Sequence, residues 1–529
     1  MSASHAAPSA LAPFRAPAFR NLWLTWLVAN LCMWMNDVAA AWIMTSLTPS
    51  PVWVALVQSA ATLPVFLLAL PSGALADGID RKKYFMLTQI WVAAVASVLA
   101  VVTWLDGLTP ELLLLLIFAN GIGLAMRWPV FAAILPELVS KPQLPAALAL
   151  NSVAMNASRI GGPLIAGALI AIAGSVWVFA LNAVLSLAAA LVIARWKREH
   201  KPHPLGREPL LTSMRVGLQY IAQSGRLKAV LLRIWIFFLS SSALVALLPL
   251  VARGMQDGDA GTFTLLLAAM GSGAIASTML LAHLRHRYTR DGLLLRAALL
   301  QAVSMLVMAQ THHLWIALPA MFLSGMTVVT TANMLTVSFQ LSLPDWVRAR
   351  GMSVYFMTLM GASACGAAWW GQLAAWTGLS ASISVAAVTG VAAIALVIRL
   401  RPEAETLEDL SPRRLFPTPQ HPAPPPSGKL WLSIEYQVDP ESAAEFRELM
   451  LSQSRAARLR QGALSWELMH DISDPGRFIE VSIERSWTDH LRRFERITAA
   501  DAELHERKLA FHIGSGPPCV KRYLIETRA

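Results

Sequence analysis

Gly73-Ala-Leu-Ala-Asp77-Gly-Ile-Asp80-Arg81-Lys82-Lys83 joins two apolar runs, at 52 to 75 and 84 to 105. Glycine at the end of an apolar helix lets a neighbouring helix approach closely. An aspartate beside a basic cluster, just outside the hydrocarbon, can form an ion-pair latch that is made and broken. The stretch therefore reads as a gating turn between two membrane-spanning helices, with Gly73, Asp77, Arg81 and Lys82 as its working residues.

The rest of the chain extends that reading. Of 529 residues, 56% are hydrophobic and only 14% charged, and the mean hydropathy is +0.52. This excludes an array of soluble domains. Crossing about 30 Å of hydrocarbon at about 1.5 Å per residue takes roughly 20 residues. Apolar windows of that length fall near 21 to 45, 52 to 75, 84 to 105, 112 to 134, 146 to 172, 175 to 195, 229 to 251, 262 to 284, 292 to 311, 313 to 337, 352 to 376 and 380 to 400. The expectation is twelve transmembrane helices.

Charge in the loops tests that expectation, because Lys and Arg gather on cytoplasmic loops. Odd-numbered loops are nearly bare, the exception being Arg253 beside Asp257 and Asp259. Even-numbered loops carry Arg81, Lys82 and Lys83, then Lys141, then seven bases between Lys197 and Lys228, then Arg285, Arg287 and Arg290, then Arg348 and Arg350. The alternation supports an even number of helices, with both termini cytoplasmic and the chain multi-pass. The net charge of +11 is thus spread between apolar runs and does not form a nucleic-acid footprint.

The expected organisation is a cytoplasmic tail (1–20), a six-helix half (21–195), a cytoplasmic central loop (196–228), a second six-helix half (229–401), a proline-rich linker (402–428) and a soluble domain (429–529). Two six-helix halves are the arrangement that surrounds a midplane site. The soluble part holds 15 Lys and Arg against 16 Asp and Glu. Its pattern reads strand Leu430 to Val438, helix Glu441 to Gln461, hairpin Ser465 to Asp471 and Arg477 to Arg485, helix Thr488 to Phe511, strand Val520 to Glu526. This β-α-β-β-α-β order is an α+β ferredoxin-like pattern.

Charges at lipid depth are the candidate site, since each is costly and should face a cavity or a partner. On the first span Trp23, Trp26, Asn30, Trp34 and Asp37 follow at offsets of 3, 4, 4 and 3, which draws one helix face. Desolvation penalises a charged carboxylate, so Asp37 is the proton-coupling candidate. Arg127, seven residues after Asn120, stays protonated and suits a counter-charge for an anionic substrate or for Asp37. Arg159 shares a face with Ser152 and Asn156. Asn333 and Tyr355 complete the set of cavity candidates.

Several chemistries find no residues. Cys32, Cys365 and Cys519 are too scattered for a disulfide framework or a metal site. No G-x-x-x-x-G-K-[ST] sequence offers an ATP site, and no cofactor is expected. His470, His490, His505 and His512 show no carboxylate–histidine spacing that names a reaction.

The opening stretch resembles the loop signature of the major facilitator superfamily, G-x-L-A-D-x-x-x-R-[RK]. Arg285-His-Arg-Tyr-Thr-Arg290-Asp291-Gly292 looks like a degenerate second copy. Arg159-Ile-Gly161-Gly162-Pro163-Leu-Ile-Ala-Gly167 is similar to the Gly-Pro motif of the superfamily's exporters, without its upstream glycine. Three further segments resemble the bacterial transmembrane secretion effector family, whose relatives export catecholate siderophores such as enterobactin. They are Phe19-Arg20-Asn-Leu-Trp, Leu135 to Val139 with Leu144 to Ser152, and Ser486 to Thr498. The resemblance implies a location in the bacterial inner membrane and proton-driven efflux of a siderophore-like, phenolic or drug-like small molecule by alternating access. It also marks Arg127 as a departure, since relatives carry a small or polar residue there. The tail resembles the antibiotic-biosynthesis monooxygenase fold, whose members dimerise through their sheets, which raises a homodimer. Two alternatives stay open: a membrane-tethered enzyme, and an importer of the same fold.

Overall fold

The computed structural model describes residues 11–78, 80–196, 210–256, 258–402, 408–413 and 428–526. The first ten residues, most of the central loop and most of the proline-rich linker lie outside the described residues. The described residues divide into two compact units. One falls within Met1–Arg207, Leu231–Thr336 and Ser353–Glu403, the other within Glu208–Val230, Val337–Met352 and Ala404–Ala529.

The first unit is helical. In chain order the helices are α1 (Pro17–Leu47), α2 (Pro51–Gly78), α3 (Arg81–Trp104), α4 (Pro110–Leu138), α5 (Leu144–Ala173), α6 (Ser175–Arg195), α7 (Leu210–Ala222), α8 (Gly225–Arg253), α9 (Ala260–Arg287), α10 (Arg290–Gln310), α11 (Leu314–Leu341), α12 (Asp345–Thr377) and α13 (Leu379–Leu400). α7 belongs to the second unit, and α8, α11 and α12 are divided between the two. Eleven helices among the described residues are long and apolar enough to cross a membrane. α12 is outside that set; it opens on Asp345, Arg348 and Arg350 and is rich in Gly, Ala, Ser and Trp.

Local chemistry sets the helix ends. Thr109 accepts from Leu112 N to cap α4, with Pro110 and Glu111 in its first turn, where Pro needs no donor and an acid meets the positive end of the dipole. Asp80 caps α3 by accepting from the backbone N–H of Lys82 and Lys83. α5 and α12 stop where Gly174 and Gly378 take φ of +91° and +89°, a region open to glycine. α5 continues through Pro163.

Glycines hold the helices close. A Cβ on Gly162 would lie 2.4 Å from Trp34 Cβ, which fixes α5 against α1. One on Gly167 would lie 1.9 Å from Thr264 Oγ1, and Gly271 meets Ile160 Cγ1 at 2.6 Å, so α5 and α9 touch at two levels.

In the second unit the strands β1 (Lys429–Gln437), β2 (Ser465–His470), β3 (Arg477–Glu484) and β4 (Cys519–Ile525) form a sheet in the order β2-β3-β1-β4, each pair antiparallel. Helices cover one face. The first expected tail helix is α14 (Ala443–Leu449), a π-helical turn (Met450–Ser454) and α15 (Arg455–Arg460). The second is two helices, α16 (Trp487–Phe494) and α17 (Ala499–Ala510). The break arises because Thr498 and Asp501 form a capping box that starts a new helix. α7 is also new: the central loop contains a helix that its basic composition concealed.

Candidate functional site

The α1 face is real, and its members meet different partners. Trp23 Nε1 donates to Leu150 O at 3.0 Å. Trp26 stacks on Phe131 with ring centroids 3.9 Å apart. Asn30 is buried and spends its amide on its own helix, donating to Trp26 O at 2.7 Å, while its Oδ1 has no partner among the described residues. Trp34 takes the Arg159 guanidinium over its ring at 5.5 Å. Asp37 is partly exposed, and among the described residues no hydrogen bond or ion pair holds it.

Arg127 on α4 is 1% exposed. It lies over the Trp26 ring at 5.4 Å and donates from Nη1 to Ala29 O at 3.1 Å. Its Nε and Nη2 are buried with no acceptor among the described residues. Arg159 on α5 likewise has no carboxylate within ion-pair distance among the described residues. The structure thus brings α1, α4 and α5 together as an aromatic face holding two guanidinium groups that have no counter-ion among the described residues. Asp37 lies one helical turn from Trp34 on the same face.

The two candidates from the second half lie on α12 (Tyr355) and α11 (Asn333). Tyr355 is fully buried. Its hydroxyl lies 2.7 Å from Thr336 Oγ1 and 3.2 Å from Ala332 O. Asn333 is half-buried. A bridge between the halves exists next door, where Trp128 and Phe356 rings meet edge-on at 5.8 Å.

At the gating turn, only the backbone of Gly73 and Asp77 is described, so the expected Asp77 latch lies outside the described side chains. Arg81 pairs with Glu137 of α4, Nη1 to Oε1 at 2.6 Å. Lys82 is half-buried, and its backbone N–H donates to Asp80 at 2.8 Å. The degenerate copy supplies a second pair that sequence reading missed: Asp291 Oδ1 lies 2.9 Å from Arg233 Nη2, and Arg233 also donates to Arg401 O at 2.8 Å.

The tail holds a pair that sequence spacing does not reveal. A carboxylate–histidine pair is present, with His490 Nδ1 2.6 Å from Glu484 Oε2. Arg522 Nε donates to His490 Nε2 at 3.1 Å, so the proton sits on Nδ1 and points at Glu484. Burial pushes the His490 pKa down and keeps the ring neutral. The ring is fully buried with both nitrogens engaged, which suits a structural link better than proton transfer. The spacing of six residues crosses a strand end and a helix start, which hid it.

A sequence profile described as transmembrane secretion effector matches residues 8–529. The chain belongs to that family. It is therefore a multi-pass transporter of the major facilitator superfamily. Transmembrane secretion effectors have efflux proteins among their relatives here. The chain is 24% identical over 394 residues to the enterobactin exporter of Shigella dysenteriae, covering 73% of this chain and 93% of that one. It is 22% identical over 328 residues to the staphyloferrin A transporter of Staphylococcus aureus, covering 61% and 81%. In fold it is similar to the crystal structure of a bacterial homologue of the human lysosomal transporter Spinster, inward-facing and unoccupied. The TM-score is 0.57 at 14% identity, covering 73% of this chain and 95% of that one.

Proposed function

We propose that this transmembrane secretion effector exports a small, siderophore-like, phenolic or drug-like anion across the bacterial inner membrane, coupled to inward proton flow. α12 then brings the spans of a six-plus-six body to twelve, as the eleventh in chain order, with both termini in the cytoplasm. Its 33 residues and the buried Tyr355, Ala362 and Trp370 support that count. The domain limits are those given by the apolar windows and loop charges.

The observation that carries the reading is the composition of the α1 face. Arg127 and Arg159 hold positive charge against ring faces with no carboxylate partner among the described residues, and Asp37, one turn of α1 from the Trp34 ring that Arg159 covers, is partly exposed and has no ion pair there either. Cations kept uncompensated suit an anion that arrives and leaves, and a lone carboxylate suits a proton that does the same. Asn30 and Trp34 shape the wall between them, and Asn333 and Tyr355 contribute from the second half. Asp77, Arg81 and Lys82, with Gly73 at the crossing, gate the cytoplasmic side, while Gly161, Gly162, Pro163 and Gly167 pack the moving halves. The tail is a ferredoxin-like domain, as its strand order β2-β3-β1-β4 supports. Trp431 and Tyr523, 5.3 Å apart on the sheet face away from the helices, offer a surface for a homodimer.

The test is uptake of anionic siderophores, phenolic acids and cationic dyes into inverted membrane vesicles under an imposed proton gradient. Uptake that collapses with the gradient, and an Asp37→Asn variant that no longer responds to it, is the expected result. Full gradient-driven uptake by Asp37→Asn removes that carboxylate from the mechanism, and movement in the opposite direction makes the chain an importer.

A further inference from the structure

The sheet of the tail buries charge where strand alternation would place apolar groups. In the antiparallel register Tyr436 faces Phe478, Ile434 faces Glu480, Leu432 faces Ser482 and Leu430 faces Glu484, so both glutamates of β3 lie on the helix-covered side. Glu480 is 1% exposed and accepts from five side chains. These are Trp466 Nε1 at 2.9 Å, Arg458 Nε at 3.0 Å, Ser454 Oγ at 3.1 Å, Tyr436 OH at 3.2 Å and Lys508 Nζ at 3.3 Å. Burial works against its charge, but Arg458 and Lys508 hold the Glu480 pKa well below the usual carboxylate range. The π-helical turn that carries Ser454 is a feature that recurs at functional sites.

A cavity of about 480 Å³ lies against this network, between the sheet and α15, α16 and α17. That is the size of pocket that takes a small organic ligand. Its walls are largely apolar, with Leu432, Ile434, Phe494, Ile497, Leu504 and Val520 among them. Its charged lining is one-sided: Arg458, Arg493, Lys508 and Arg522 against the single carboxylate Asp501, which is itself occupied in the Thr498 cap. Counting Glu480 and Glu484 behind the wall leaves four cations against three carboxylates.

Arg493 supplies the independent sign of a ligand. It is 7% exposed, its Nε lies 3.3 Å from Glu484 Oε1, and its Nη1 is buried with no acceptor among the described residues. A buried guanidinium donor left unmatched is costly. The histidines do not add charge: burial, with Lys508 and Arg458 nearby, lowers His505 to about 4, and His490 is neutral as well. The positive potential therefore comes from groups that stay charged at neutral pH.

We propose that this cavity is a second ligand site, in the tail, for a compact amphipathic organic anion. An aromatic or branched body lies between Ile434, Phe494 and Leu504, and a carboxylate or phenolate accepts from Arg493, with Arg458 and Lys508 adding to the field. Apolar walls select the body, and a bidentate guanidinium selects a planar oxyanion over a neutral group. The site does not depend on the export reading, since it lies wholly within the tail.

The test uses the full chain in lipid nanodiscs and equilibrium dialysis against 2-naphthoate, with 2-naphthylmethanol as the uncharged analogue and empty nanodiscs to subtract partitioning. One saturable naphthoate site is expected, with the alcohol weaker by on the order of tenfold or more. Arg493→Gln should weaken naphthoate by a similar factor. Val520→Trp, which fills the cavity from a partly exposed strand position, should abolish saturable binding, and it decides the question if Arg493→Gln does not fold. Equal affinity for acid and alcohol, no saturable site, or binding unchanged by Val520→Trp overturns the proposal. Because the readout is binding, a transport defect with binding intact counts against the export reading alone.

Discussion

Gly167 offers the sharpest test of how the bundle is held. Its missing Cβ would sit 1.9 Å from Thr264 Oγ1, 2.4 Å from Cγ2 and 2.5 Å from Cβ. Reaching an ordinary contact of 3.4 Å requires α5 and α9 to part by about 1.5 Å at that level. The second contact, Gly271 against Ile160, resists a simple tilt, because it lies about 10.5 Å further along. A single methyl at Gly167 should therefore destabilise the closed crossing by about 1–3 kcal/mol, roughly a 5- to 150-fold shift between states that differ in this contact. The assay pairs thermal unfolding of the purified chain with gradient-driven vesicle uptake. Gly167→Ala should lose stability in this state and change the uptake rate. Gly225→Ala, where nothing lies within 4 Å of the added atom, should be neutral or slightly stabilising. Thr264→Gly removes every clashing atom, so Gly167→Ala should be less harmful on that background, with a coupling of about 1 kcal/mol or more. Strict additivity of the two changes, or a Gly167→Ala as mild as Gly225→Ala, would refute the argument.

Other expectations follow from the same geometry. Arg81→Glu should slow uptake and the swap Arg81→Glu with Glu137→Arg should restore part of it, while thermal stability changes by no more than about 1 kcal/mol because the pair is partly exposed. Arg127→Gln should weaken transport of anionic substrates more than of neutral ones, read as the ratio of initial uptake rates; equal losses would make Arg127 structural. Glu480→Gln should cost the tail about 3–5 kcal/mol in denaturant unfolding, since it leaves Arg458 and Lys508 buried without their carboxylate. The tail should also be acid-labile in two stages, followed by tail fluorescence against pH. The depressed His505 makes the unfolded chain bind more protons between about 6.5 and about 4, so stability falls as pH drops through that window. The depressed Glu480 contributes fully above its unfolded value of about 4.3 and loses that contribution below it.

What the sequence revealed and concealed follows from how far each interaction reaches along the chain. Apolar windows mark the helices because hydrocarbon thickness is written into contiguous residues, and the α1 face was legible because Trp26, Asn30, Trp34 and Asp37 sit at helical offsets. Pairs made across the fold were not. Glu137 is 56 residues from Arg81, and Asp291 is far from Arg233, so neither partner can be read from spacing. In β3 the alternation Ile479, Val481, Ile483 names the wrong face. The register with β1 turns Glu480 and Glu484 inward; the donors to Glu480 come from α15, α17, β1, β2 and the π-helical turn, and the partners of Glu484 from α16. One miss had a signal in plain view: Thr498-Ala-Ala-Asp501 is the pattern of a capping box, and it ends the single helix expected there.

Glu480 of the tail and the two span arginines treat buried charge in opposite ways, and the difference bears on function. In the tail, Glu480 meets two cations and three neutral donors, so its carboxylate is matched and held. In the spans, Arg127 and Arg159 have ring faces, worth about 0.5–2 kcal/mol each, and Arg127 adds one carbonyl, against a burial cost of about 2.5–3.5 kcal/mol for a charge at the centre of a span. A site fully paired at rest must break its own ion pairs before it can take an anionic ligand, and must remake them to let it go. A site left short of compensation binds without that exchange, and its shortfall is filled only while the ligand is present. On the export reading proposed above, the guanidinium groups of α4 and α5, unpaired among the described residues, are the part of the bundle whose electrostatics change through a transport cycle, and Asp37, one turn of α1 from the Trp34 ring that Arg159 covers, registers the change as a proton taken up or released.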